Sequence, residues 1–404
     1  MKKPVFLTVI LLAAALLACA TQPAAVTPAI DVNAIVSQTM AALIGIPPVV
    51  ATTPASTPTL GLLPRSLYFL NADAAAHAQI FRLAVDGTTL TQLTSEPADV
   101  AAYDVNQIDG RIVYVSNNQM LLVNADGSGR QVLLDGGPMD ENNAFLTNIQ
   151  NAVWSPNGQT IAYGLGGLNL YSISTGVSNL VLKNQIRDMG NGFLLPDELY
   201  WPEAYSPDGT KLLVRLGYYE GGTFAIYYPS SNSLVRLVQT DTGNICCGAR
   251  WTSDSASLYA ALPTTGMFSS GLWHINAASG QVTTLLPGEA GNGTFNFADA
   301  PFLAPDGQLY FFFANTPATD EFFMGAPLQL VRSAADGVTG RVALFPDTFK
   351  RINESLWSPD GSFVIVAIAT NDQMWQGGQA EIVYVDGSPR IQLLSFARDM
   401  RWGQ

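Results

Sequence analysis

Four segments of the chain repeat one short pattern: Trp154-Ser-Pro-Asn-Gly158, Tyr205-Ser-Pro-Asp-Gly209, Leu303-Ala-Pro-Asp-Gly307 and Trp357-Ser-Pro-Asp-Gly361. Trp251-Thr-Ser-Asp-Ser255 is a degraded fifth copy, and Ile108-Asp109-Gly110 keeps the turn of a sixth. Proline presets φ at the first central turn position, Asp or Asn bonds the local backbone, and glycine takes the position that needs φ > 0. The turn residues 110, 158, 209, 255, 307 and 361 are spaced 48, 51, 46, 52 and 54 apart. That spacing fits a blade of four antiparallel strands. An apolar run follows each turn, as in Ile112-Val115, Leu258-Leu262 and Phe363-Ile368. Runs with so little alternation suit strands covered on both faces.

A second marker runs in parallel. Asp86-Gly87, Asp126-Gly127, Thr175-Gly176, Ser231-Asn232, Ser279-Gly280, Asp336-Gly337 and Asp386-Gly387 each separate two short β-rich runs. These are seven hairpins, one more than the count of Pro-Asp-Gly-type turns. The first repeat has strands near Leu67, Ile80 and Leu90 but no inner strand, while Asp399-Met-Arg-Trp402 is an inner strand with no repeat after it. The spare strand predicts an all-β, seven-bladed β-propeller over residues 65–404, its ring closed by the C-terminal strand. Closure also hides edge strands that invite aggregation.

The aromatic-Ser-Pro-Asp-Gly pattern, best kept at Tyr205–Gly209, resembles the repeat of TolB-type, WD-repeat-like propellers and of the propeller domains of prolyl-oligopeptidase-type peptidases. The resemblance implies fold and hardly constrains function. The sequence lacks the α/β domain that precedes the six-bladed propeller of TolB-type proteins. It also lacks the Gly-x-Ser-x-Gly elbow of the peptidases' hydrolase domain.

The N-terminus reads as an address. Lys2-Lys3 precedes an apolar run from Val5 to Ala18, too short to span a bilayer and suited to a signal-peptide core. Leu16-Leu17-Ala18-Cys19 resembles the lipobox of bacterial lipoproteins, with Leu17 bulkier than is usual. The resemblance implies a signal peptide over 1–18 and a lipid on Cys19; cleavage after Ala20 and an uncleaved anchor are the alternatives. Residues 19–64 are Ala/Thr/Pro-rich and read as a tether, with a short amphipathic helix expected over 31–44. The expected location is therefore the bacterial cell envelope, exported and lipid-anchored to a membrane surface.

Composition narrows the function classes. Lys+Arg 19 against Asp+Glu 32 gives a formal charge of −13, which leaves no footprint for nucleic acid. Three cysteines exclude a disulfide framework, and two histidines leave little for metal or general-base chemistry. No catalytic residue, metal ligand or cofactor is assigned. His77 and His274 read as structural. Asn124-x-Asp126-Gly127-Ser128 faintly resembles a calcium loop but belongs to the Asp-Gly turn series.

In a blade the 1–2 and 3–4 turns share one face, and the 2–3 loops and 4–1 crossovers share the other. The first set is tight. The second is long, covering 135–151, 183–203, 217–223, 263–271, 287–300, 315–327 and 370–379. Loops on a rigid scaffold are where binding concentrates. Trp201, Tyr218, Tyr219, Phe268, Phe322, Phe323 and Trp375 lie there. They are either anchors for a partner protein or glycan, or pins for their own loops. The acidic pairs Asp140-Glu141, Asp197-Glu198 and Asp320-Glu321 read as solvated charge, since adjacent residues point apart. Cys246 and Cys247 form either a vicinal disulfide or two reduced thiols. The expectation is a monomeric, non-enzymatic binding or scaffold module for an envelope protein or glycan. Its rival is an envelope glycan hydrolase or lyase with a site at the ring centre. Acid and base residues lining the channel would favour the enzyme.

Overall fold

The computed structural model describes residues 61–404 except 239–244, 246–247, 265–268 and 318–325. The signal peptide, Cys19, the tether and its helix, Cys246, Cys247, Phe268, Asp320, Glu321, Phe322 and Phe323 lie outside the described residues.

The chain is all-β and runs as a series of antiparallel meanders. Four sheets are four-stranded and begin with Val100–Val105, Gln150–Trp154, Ala249–Trp251 and Phe295–Leu303. A five-stranded sheet adds Gln185–Asp188 to the meander that begins with Leu194–Tyr205. The remaining sheet has seven strands, in the order Ile352–Trp357, Phe363–Ile368, Gly378–Tyr384, Ile391–Trp402, Leu67–Ala72, Ala78–Leu83 and Leu90–Gln92. Its fourth member serves twice. The first half of Ile391–Trp402 pairs with Gly378–Tyr384, and the second half pairs Trp402 with Leu67 and Arg401 with Tyr68.

The repeat explains itself in the turns. In Ser206-Pro207-Asp208-Gly209 the Ser206 hydroxyl donates to Asp208 at 2.6 Å and accepts from the Lys211 amide at 3.0 Å. The Gly209 amide closes on Ser206 O at 2.8 Å, with Gly209 at φ +71. The degraded copy keeps the same turn with Ser255 at φ +61, and that serine's hydroxyl accepts from the Asp208 amide of the preceding repeat at 3.0 Å. A neighbour contact thus accompanies the strain of a side chain at positive φ.

The aromatics ahead of these turns end the first strands and stitch them together. The indole N–H of Trp251 donates to Ala204 O at 3.2 Å, that of Trp357 to Ala300 O at 2.9 Å, and that of Trp402 to Trp357 O at 2.6 Å. Trp357 also stacks on Phe302, the ring centroids 5.2 Å apart. The core lies between meanders. Leu213 and Phe224 pack against Leu258 and Trp273 of the next sheet, and Phe297 and Phe312 against Trp357 and Val364. Leu67 and Phe69 meet Phe363 and Ile365 across the folded seven-stranded sheet.

One stretch expected to be a loop is a strand pair. Gln185–Asp188 pairs with the start of Leu194–Tyr205, turning through Gly190, Asn191 and Gly192, all at positive φ. Asn184 anchors it, accepting from the Tyr200 amide at 3.0 Å and donating to Phe145 O at 3.1 Å.

Candidate functional site: a charged cavity between the first strands

Six first strands carry a register shift in their pairing with the second strand: between Val100 and Ala102, Gln150 and Ala152, Pro202 and Ala204, Asp299 and Phe302, Ile352 and Glu354, and opposite Tyr68–Leu70 at Asp399. Asn151, Ala300 and Asp399 sit at φ +50, +52 and +52 in these bulges. A bulge bends its strand and re-aims a side chain. Here the re-aimed side chains face one another across a cavity of about 710 Å3, lined by Glu203, Arg215, Asn353, Glu354, Arg398 and Arg401 among others. Gly248, Asn353 and Glu354 continue from it into a deeper chamber of about 330 Å3 that also meets Arg250 and Asp299. A side slot of about 140 Å3 opens beside Asp299, lined by Pro263, Leu328, Ile352, Met374 and Trp375 together with the Arg351–Asp372 ion pair.

The electrostatics follow from burial. Asp299 and Glu354 are each pushed up to about 7, chiefly because burial penalises the carboxylate. Burial likewise raises Asp104 and Glu203, with Arg401 and Arg215 respectively opposing it most. Arg250 is pulled down to about 10 by burial and by the positive charge of Arg401. For Arg401, burial works against the charge, but Tyr103, Asp104, Glu354 and Asp399 together hold it above the ordinary arginine value.

Some of these groups hold strands together. Asp104 accepts the Trp154 amide at 2.8 Å, the Tyr103 hydroxyl donates to Asp399 O at 2.6 Å, and Glu354 accepts the Met400 amide. Glu203 pairs with Arg215 at 2.8 Å. Arg250 differs. Among the described residues its side chain makes one hydrogen bond, to Ser355 O at 3.1 Å, and no ion pair.

The sequence-derived candidates divide. Trp375 is 69% exposed and stands at the cavity rim, against both the large cavity and the side slot. Tyr219 is 63% exposed on the tight turn Tyr218–Gly221. Tyr218 is half-buried against the core between the third and fourth meanders. Trp201 is a first-strand residue, half-buried, with the Arg215 guanidinium 4.9 Å from its ring centre. Gly217 lies so close beneath it that a Cβ there would meet the ring at 2.3 Å.

Three members of the acidic pairs, Asp140, Asp197 and Glu198, are bonded within the structure. Asp140 caps the Asn142 amide, Asp197 pairs with Arg187, and Glu198 pairs with Arg236 and accepts from the Tyr200 hydroxyl. His274 meets the Tyr259 ring edge-on at 5.1 Å, and burial lowers its pKa. Among the described residues no three His, Cys, Asp or Glu side chains are placed to hold a metal ion.

No protein-family model and no curated protein matches the sequence. Among solved structures, the chain is similar to prolyl endopeptidases (11% identity, 84% of this chain and 49% of that chain, TM-score 0.51). It is also similar to a puromycin hydrolase (12%, 83% and 53%, TM-score 0.50). TolB from Acinetobacter baumannii is 17% identical over 84% of this chain and 82% of its own, with a TM-score of 0.41. At such identities the likeness is one of fold. Stacked antiparallel meanders around a cavity and the first two of these likenesses agree on a β-propeller.

Proposed function

We propose that the chain is an exported, lipid-anchored envelope protein whose seven four-stranded blades close into a ring through Ile391–Trp402, and that it binds a protein or glycan partner at the long-loop end of the central channel. The observation that carries this reading is the asymmetry of the two ends. One is a set of tight turns of uniform chemistry. The other opens into the 710 Å3 cavity with Trp375 exposed at its rim. Aromatic groups at the mouth of a pocket supply contact area at low rotamer cost. Tyr219 extends the surface, and by position in the chain Tyr218, Phe322 and Phe323 belong to the same end. The lipobox resemblance at Cys19 supports the address.

The test is capture from native membranes with the full chain, identified by mass spectrometry, followed by Trp375→Ser. Retention of the captured partner should fall at least about tenfold, roughly 1.4 kcal/mol, with an unchanged thermal midpoint. Full retention would remove this face from the reading.

A second reading, an envelope glycan hydrolase or lyase acting in the same channel, draws on one specific observation. Asp299 and Glu354 both titrate near neutrality, where general acids and bases work best. Turnover of an envelope glycan that Glu354→Gln abolishes would favour it.

A further inference from the structure

Arg250 is the middle residue of Ala249–Trp251 and lines the chamber of about 330 Å3. A guanidinium has five N–H donors in a planar fork. With Ser355 O as its single acceptor among the described residues, most of that fork is uncommitted at the chamber it lines. Asp299 and Glu354 line the same chamber but neither makes an ion pair with it. A buried cation with unused donors has a strong demand for an acceptor, and a carboxylate meets a guanidinium fork with two parallel bonds.

The side slot adds a second requirement. It shares Pro263, Asp299, Ile352 and Asn353 with the chamber; Ala326, Leu328, Met374 and Trp375 make the rest of its lining mostly apolar, beside Thr264 and the Arg351–Asp372 ion pair. Its 140 Å3 is close to the roughly 150 Å3 apolar cavity that admits benzene. One aliphatic or small aromatic side chain fits there.

A carboxylate beside an apolar side chain, at the end of something long enough to pass through the wide vestibule, is the end of a peptide. We propose that the channel captures the C-terminal carboxylate of a peptide chain on Arg250, with the terminal apolar side chain in the slot under Trp375. This rests on the reading of the long-loop end as the binding face and names the ligand class for it.

The acids around Arg250 set the conditions. Asp299 and Glu354 are neutral below about 7, where they cease to compete for the guanidinium and a neutral carboxyl donates to the incoming carboxylate. Arg401, near the end of Ile391–Trp402, adds positive potential. A doubly charged phosphate would instead face carboxylates on both sides as the pH rises.

The probe is N-acetyl-Ala-Ala-Leu as the free acid and as its C-terminal amide, titrated calorimetrically against the full chain at pH 6 and pH 8. The acid should bind at least about tenfold more tightly than the amide, and more tightly at pH 6. A C-terminal Gly should weaken binding, and Arg250→Gln should erase the difference between acid and amide. The acid–amide comparison needs no variant, so a misfolded Arg250→Gln leaves the proposal testable.

Equal binding of acid and amide, or binding of neither, overturns it. So does N-acetyl-leucine binding as tightly as the tripeptide, because a small acid would then be the ligand. If neither peptide binds but Trp375→Ser still releases the captured partner, the face stands and the carboxylate site falls. If the acid is preferred through Arg250 and Trp375→Ser leaves the captured partner untouched, the site stands and the face reading falls.

Discussion

Asp299 and Glu354 carry the clearest consequence at the scale of single residues. Their folded-state values lie near 7, well above the usual carboxylate range, so between about pH 4 and 7 the folded chain holds more protons than the unfolded one. Stability is then full below the unfolded values and falls as pH rises through the folded ones. Asp104 and Glu203 are raised for the same reason and act in the same direction. His274 opposes them. Burial lowers its folded value, so its contribution improves as pH climbs. The expected net result is a loss of roughly 2–5 kcal/mol between pH 5.5 and 8, read by urea unfolding. Asp299→Asn with Glu354→Gln should flatten the curve, leaving Asp104 and Glu203 opposed by His274. A wild-type stability that rises across this window would contradict the assignment.

At the scale of elements, the last strand makes the sharpest prediction. Deleting 399–404 removes the Trp402 and Arg401 pairing with Leu67 and Tyr68, the acceptor of the Tyr103 hydroxyl, and the amide held by Glu354. Loss of a large packed aromatic alone costs about 3–5 kcal/mol, a large part of the stability of an ordinary domain. The truncated chain should lose most of its thermal stability, and an unchanged midpoint would mean that the strand is dispensable. This strand was legible because Trp402 falls 45 residues after Trp357, in phase with the repeat. The turns were legible because their residue types have local causes. The hairpin through Gly190 and Gly192 was not, since its glycines read as loop and its pairing depends on Asn184 reaching two other segments. The charged cavity was missed for a related reason. Its acidic and basic members come from first strands about 50 residues apart, and no local pattern joins one strand's contribution to the next. One signal was present. In a chain with only 13% charged residues, Glu203, Arg250, Asp299, Glu354 and Asp399 each lie one to four positions before the end of a first strand.

For the whole molecule, the proposed envelope address rests on Cys19. Two or three acyl chains hold a protein on a membrane where one does not. Replacing Cys19 with Ser should therefore shift the protein from the membrane pellet to the soluble fraction and abolish labelling by a palmitate analogue. A wild type that never labels, with a mutant that still pellets, would end the lipoprotein reading.

The pairing of Leu67 with Trp402, and the hydrogen bond from the Gly403 amide to Ser66 O at 2.9 Å, also set a timetable. A chain delivered from its N-terminus presents Leu67–Ala72 early, but the strand that belongs beside it arrives only after every intervening meander. Each of those meanders can form as it emerges, while the first keeps one edge open until residues 398–403 are through. Completion is therefore a single late event, and a chain stopped before those residues differs in kind: its earliest strand still has an exposed, unpaired edge.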